Sequence, residues 1–204
     1  MVKKQPQIII SFISYTMPAA SILPVACHKG VLYFLFGKEN EMEDSSRGFS
    51  DFGGSVEHGE SIMETALREG SEELSGFLGD SNDIKKLLAS GTYTLSHKDY
   101  HIHIFLLDYD VNLPVYFTNH HTFLWNRMDK NLLNESKFFE KQEIKWFSLQ
   151  DMRRNISQFR KFYQEIVSLI FTHSKDIYKF VKNVKKNKSN RSLSKTRKRI
   201  RGGG

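Results

Sequence analysis

Between residues 53 and 76 the chain carries a pattern with few structural solutions. Two adjacent glycines, Gly53 and Gly54, are followed by Glu60, Arg68, Glu69, Glu72 and Glu73. Ser61 and Glu64 have the spacing of a capping box, which predicts a helix starting at Ile62. Gly76 supplies a left-handed stop just past its last turn. At roughly 100° per residue, Met63, Ala66, Leu67, Gly70 and Leu74 form one core-facing stripe. Glu69, Glu72 and Glu73 stand beside it at i, i+3 and i+4, within one turn of each other. Three carboxylates so close repel and raise one another's pKa, and a divalent cation removes the conflict. Hard oxygen ligands with room left for water and phosphate suit Mg²⁺ or Mn²⁺. An acidic helix face alone is most often a solvated surface. Its register with a glycine turn and an arginine makes a site the better reading here.

The whole arrangement resembles the Nudix box of the Nudix hydrolases, G-x5-E-x7-R-E-U-x-E-E-x-G-U, where U is a bulky apolar residue. Gly54, Glu60, Arg68, Glu69, Glu72 and Glu73 match it in register. The resemblance implies that Glu69, Glu72 and Glu73 bind the metal, with the carbonyl of Gly54 adding a ligand. It implies that Arg68 pairs with Glu60 to orient the helix, and that the reaction is attack of water on phosphorus in a nucleoside diphosphate linked to a group X. For the proton-accepting carboxylate, Glu69, Glu72 and a glutamate from a later loop are the candidates; Glu143, just before a short apolar strand, is the first choice and Glu140 the second. The chain departs from the box at two places, with Gly70 in the bulky apolar position and Ser75 in the late glycine position. A glycine inside a helix costs roughly 1 kcal/mol against alanine. On the buried stripe, Gly70 therefore predicts close approach of the helix backbone to a strand or an aromatic ring.

Segments 21–27 and 31–37 read as two strands of a hairpin, and 92–95 and 101–108 as further strands. Residues 79–82 read as a linker and about 112–141 as an aromatic-rich insertion. Residues 143–147 read as a strand, and Ser148 and Asp151 cap a following helix that continues through Ile156, Phe159, Tyr163, Ile166 and Ile170. This order fits an α/β fold, an α/β/α sandwich around a mixed β-sheet, which the Nudix resemblance also implies. His101 and His103 share one side of a strand, but without a third ligand they read as structural.

Cys27 is the sole cysteine, which excludes an internal disulfide and fits a reducing intracellular compartment, cytoplasm or nucleus. No apolar run approaches the ~18 residues of a membrane span. Ser11, Ser14 and Tyr15 interrupt the weakly signal-like start. Charge divides sharply: from Lys179 onward there are 11 Lys or Arg and no acid, leaving 19 basic residues against 23 acids in the body. The expected organisation is a Nudix domain over 1–178 and a basic tail over 179–204, largely disordered beyond about 187. Lys185, Lys186, Arg197, Lys198 and Arg199 are its candidate substrate or RNA contacts, drawing in a polyanion. The tail, with its terminal glycines, is also similar to tails of giant DNA virus proteins, for which host cytoplasm or virion would be the location. Within the Nudix family one substrate class that combines these features is the 5′ cap of RNA. The alternatives are a small nucleotide, a diphosphoinositol polyphosphate, or a non-catalytic Nudix-like module that binds RNA or protein.

Overall fold

The computed structural model describes residues 17–40, 47–129, 131–132 and 140–201, with side chains up to residue 190. Seven strands form one mixed sheet. Strands β1 (Ala19–His28) and β2 (Val31–Glu39) make the expected hairpin, turning at Lys29 and Gly30, both in the left-handed region at φ 48° and 80°. Short β3 (Phe49–Ser50) pairs with β2, and β4 (Phe52–Ser55) pairs with β1, both antiparallel. Strands β5 (Thr92–His97) and β6 (Tyr100–Leu106) form a second hairpin, and β6 joins β1 in parallel. Strand β7 (Lys141–Ser148) pairs antiparallel with the outer side of β2, with an irregularity between Lys38 and Glu39.

Both faces of the sheet are covered, as an α/β/α sandwich requires. On one face Ala20, Ile22, Leu35, Phe52 and Phe105 pack against helices α1 (Ile62–Glu73), α2 (Ser81–Leu88) and α3 (Leu113–Trp125). On the other, Phe34, Phe36, Phe49 and Phe147 meet Met152 of α4 (Leu149–Arg154) and Tyr163, Ile166, Val167 and Ile170 of α5 (Tyr163–Arg201). The aromatic rings interlock at an angle: Phe36 meets Phe159 edge-on at 5.0 Å and 89°, and Phe49 meets Phe147 at 4.9 Å and 70°. Such edge-to-face pairs add to the burial term.

Several elements differ from the sequence reading. The linker at 79–82 is instead the start of α2, because the Asp80 carboxylate accepts from the amides of Asn82 and Asp83 and caps it. The aromatic insertion opens with α3, of which Phe117 is the buried anchor; Phe138 and Phe139 lie outside the described residues. The helix capped by Ser148 ends at Arg154, and a 3₁₀ turn (Ile156–Gln158) separates it from α5, so the apolar run from Ile156 to Ile170 spans two helices. Helix α5 keeps its buried stripe past residue 178: Ile177, Val181 and Val184 recur at helical spacing in the core. The side chains of Arg197, Lys198 and Arg199, like most of the segment expected to be disordered, lie outside what is described.

Candidate active site

Helix α1 begins with the expected capping box, in which Ser61 accepts from the Glu64 amide and Glu64 accepts from the Ser61 amide. Thr65, Ala66, Leu67, Gly70 and Leu74 are buried, whereas Met63, expected on the stripe, is 37% exposed. A small rotation puts Thr65 in the inward place, where its hydroxyl donates to Glu60 at 2.8 Å. Gly70 does what its position predicts. A Cβ there would stand 2.3 Å from Ile22 Cδ1, so α1 rests its backbone on β1. After α1 the chain turns through Ser75 and Gly76, at φ 49° and 73°.

The glycine turn and the helix are locked together by charge. Arg68 grips Glu60 with two nitrogens, Nε to Oε1 at 2.7 Å and Nη2 to Oε2 at 3.0 Å. This bidentate geometry is the strong form of the pair. The hydrogen bond from Arg68 holds the Glu60 carboxyl down at about pKa 2. Arg68 Nη1 also reaches Glu69 at 2.8 Å and Glu72 at 3.3 Å, and Nη2 reaches the Ser55 carbonyl at 3.3 Å. One guanidinium thus fixes the loop entering α1 and two of its three site carboxylates. Gly54 is needed at its place, since a Cβ would sit 2.4 Å from Glu69 Oε1. Gly53 donates its amide to Glu73 Oε2 at 2.8 Å while its own Cα packs on Ser21.

Glu69, Glu73 and Glu140 bring one oxygen each to within 4.8 Å of one another. Three carboxylate oxygens at such mutual distances can share one ion, and as hard donors they fit Mg²⁺ or Mn²⁺. Of the residues expected to hold metal, Glu69 and Glu73 converge, Gly54 lies against the Glu69 carboxylate, and Glu72 points along Arg68 instead of joining the trio. Glu143 is placed elsewhere. It sits opposite Lys38 in the β2–β7 ladder, and their side chains, each about 40% exposed, approach to 3.9 Å. The second choice, Glu140, is the later glutamate that reaches the cluster.

Sequence reasoning missed the residue beneath this cluster. Lys141 has a fully buried ammonium in contact with Glu39, with Glu73 at 3.1 Å and with the Ser50 hydroxyl at 3.0 Å. Arg160, from the turn that leads into α5, completes the group by bonding Glu39 at 2.7 Å. Burial pushes the Glu73 carboxyl well above the ordinary range, against the pull of Lys141. Burial alone would lower the Lys141 ammonium, but the charges of Glu73 and Glu39 overcome it and raise its pKa. The one sequence signal was a lysine at the first inward position of β7. Beside this group lies a second buried polar set, in which Ser21 and Tyr100 each donate to Asp51 at 2.5 Å. Desolvation raises Asp51 to about pKa 6, against those two bonds.

His101 and His103 pair with strand β5 hydroxyls, Ser96 at 3.1 Å and Thr94 at 3.5 Å, and join no metal-ligand group among the described residues. Of the tail lysines, Lys185 donates to the carbonyl of Cys27 at 2.6 Å and Lys186 is exposed. No helix among the described residues is long and apolar enough to cross a membrane.

A NUDIX domain model matches residues 16–169. The chain belongs to the Nudix family. As a Nudix hydrolase it is a pyrophosphohydrolase, an enzyme of phosphoric anhydride bonds. Among solved structures, it is similar to a C. elegans Ap4A hydrolase binary complex at 18% identity and a TM-score of 0.49, covering 79% of this chain and 99% of that one. A bifunctional NMN adenylyltransferase/ADP ribose pyrophosphatase from Francisella tularensis, complexed with AMP and a Mn ion, matches at 12% identity and a TM-score of 0.44, over 77% of this chain and 42% of that one. The MutT protein of Methanosarcina mazei Go1 matches at 16% and 0.40, over 79% and 99%. No curated protein sequence matches the chain.

Proposed function

We propose that this Nudix hydrolase uses a divalent cation held by Glu69, Glu73 and Glu140 to split a nucleoside diphosphate from its group X. The convergence of these three carboxylates beside the Arg68-braced turn is the observation that carries the reading. A bound Mg²⁺ or Mn²⁺ supplies charge neutralisation at the diphosphate and a more acidic water. Arg68 keeps Glu69 and Glu72 from swinging away, and Gly54 leaves the space in which the Glu69 carboxylate sits. Glu72 has the most exposed side chain of the three box carboxylates, 31% against 13% for Glu69 and 4% for Glu73. In this reading Glu72 accepts the proton of the attacking water, and Glu143, paired at 3.9 Å with Lys38 on the β2–β7 ladder, takes no part in that step. Glu72→Gln should lower kcat by about 10²-fold or more with metal affinity kept. Equal loss of both would return Glu72 to the metal-ligand set.

The 5′ cap of RNA is the substrate that would use the whole molecule. Beyond Lys179, which pairs with Asp176 at 3.2 Å, the C-terminal helix exposes Lys182, Lys186 and Lys188 in a stretch without acids, which favours a polyanion. The test compares cap-labelled RNA with free nucleotides in Mg²⁺ at low and moderate salt. Release of the cap nucleoside diphosphate, falling steeply with salt, is the expected result. Turnover of free nucleotides alone, indifferent to salt, would make the substrate a small nucleotide.

A further inference from the structure

A groove of about 710 Å³ runs between α3 and the outer strand β7, lined by Thr118, His121, Thr122 and Trp125 of the helix and by Gln142 across from them. It adjoins the carboxylate cluster. Asn40 lines it as well, and the Asn40 amide donates to the carbonyl of Glu140 at 2.8 Å. His121 and Trp125, one turn apart, stack with ring centres 5.7 Å apart and planes 12° from parallel. Gln142, Ile144 and Lys145 of β7 form the strand side of the groove. Thr118, Thr122, Gln142 and Asn40 add side-chain groups that both donate and accept. A flat aromatic wall, neutral two-way hydrogen-bonding groups and a volume within the ~300–1,000 Å³ range of small-molecule sites match a heterocyclic base. Pro114 and Val115 at the start of α3 and the oppositely charged Glu143 and Lys145 of β7 also line the groove.

We propose that this groove holds the nucleobase of the substrate, with His121 and Trp125 as its stacking wall and the attached phosphates directed past Asn40 toward Glu140. The assignment rests on the hydrolase reading for what lies at the far end of the ligand, and the groove alone defines the base end. Helix α3 is then a specificity element of the site.

The test is binding of AMP, GMP and ribose 5-phosphate to the full chain in EDTA by calorimetry, followed by turnover with Mg²⁺ of ATP, GTP and cap-labelled RNA, which carry the anhydride bond that the monophosphates lack. Ribose 5-phosphate lacks only the base. One nucleotide or both should bind at least tenfold more tightly than ribose 5-phosphate, and Trp125→Ala should erase the difference. Thr122→Trp, at an exposed helix position where folding is not at stake, should block the groove and erase it too. Equal binding of all three ligands, or a difference that survives both variants, would overturn the assignment. Hydrolysis of nucleotides without base-dependent binding would sink the groove alone; base-dependent binding without hydrolysis would sink the hydrolase reading alone.

Discussion

Replacing Lys141 with Met is the sharpest perturbation the structure offers, because it removes one charge and little volume. Its ammonium is fully buried and serves Glu39, Glu73 and Ser50 at once. Breaking a buried pair by deleting one partner costs about 3–5 kcal/mol, as the other charge is left uncompensated. Here Glu39 keeps Arg160 and Glu73 keeps the Gly53 amide, so the loss should fall near the lower end, about 3 kcal/mol. At ~2–4 °C per kcal/mol for a chain of this size, that is roughly 6–12 °C in Tm. A second consequence separates electrostatics from packing. With Lys141 gone, a metal ion at the cluster becomes the main positive charge beside Glu73. Mg²⁺ should therefore stabilise Lys141→Met more than the wild type. Urea unfolding in EDTA and in Mg²⁺ reads both effects, and Lys141→Met with Glu39→Gln should recover part of the loss in a double-mutant cycle. A cost below about 1 kcal/mol in EDTA, or the same Mg²⁺ increment in both proteins, would refute the account.

Three further outcomes follow from named contacts. Gly70→Ala drives a Cβ to 2.3 Å from the buried Ile22 side chain; overpacking of about 1–3 kcal/mol should exceed the ~1 kcal/mol helix gain, so the urea midpoint falls. Gly54→Ala meets the Glu69 carboxylate at 2.4 Å and should weaken Mn²⁺ binding about tenfold with a stability change under about 1 kcal/mol, read by calorimetry and urea melts. Asp51 has a folded pKa near 6 against an ordinary 3.8, so the folded state holds its proton more tightly. Stability from this residue is greatest at low pH and is lost as pH rises from about 4 through 6, by up to about 3 kcal/mol. Urea midpoints between pH 4.5 and 7 should show this fall, and Asp51→Asn should flatten it.

The parts of the molecule legible in sequence were those whose cause is local. The box helix, its Ser61 cap, its Gly76 exit and the backbone approach at Gly70 each follow from spacing along one element. The β1–β2 hairpin and the Ser148 cap are of the same kind. What escaped depends on contacts across the sheet. Glu140 and Glu143 are three residues apart, and only the ladder with β2, which pairs Glu143 with Lys38, decides which one turns toward α1. Lys141 is a surface residue by composition, and nothing near it in sequence announces Glu39 or Glu73 as partners. One miss was avoidable: Asp80 before Ser81 is a helix cap as good as Ser61. Ile177, Val181 and Val184 keep a helical apolar spacing into the basic stretch.

The most direct test of the central claim is Mn²⁺ affinity, measured by calorimetry on the wild type, Glu140→Gln and Glu143→Gln. If Glu69, Glu73 and Glu140 form the metal centre, Glu140→Gln should bind Mn²⁺ at least tenfold more weakly while Glu143→Gln binds as the wild type does. Unchanged affinity in Glu140→Gln, with the loss in Glu143→Gln instead, would contradict it.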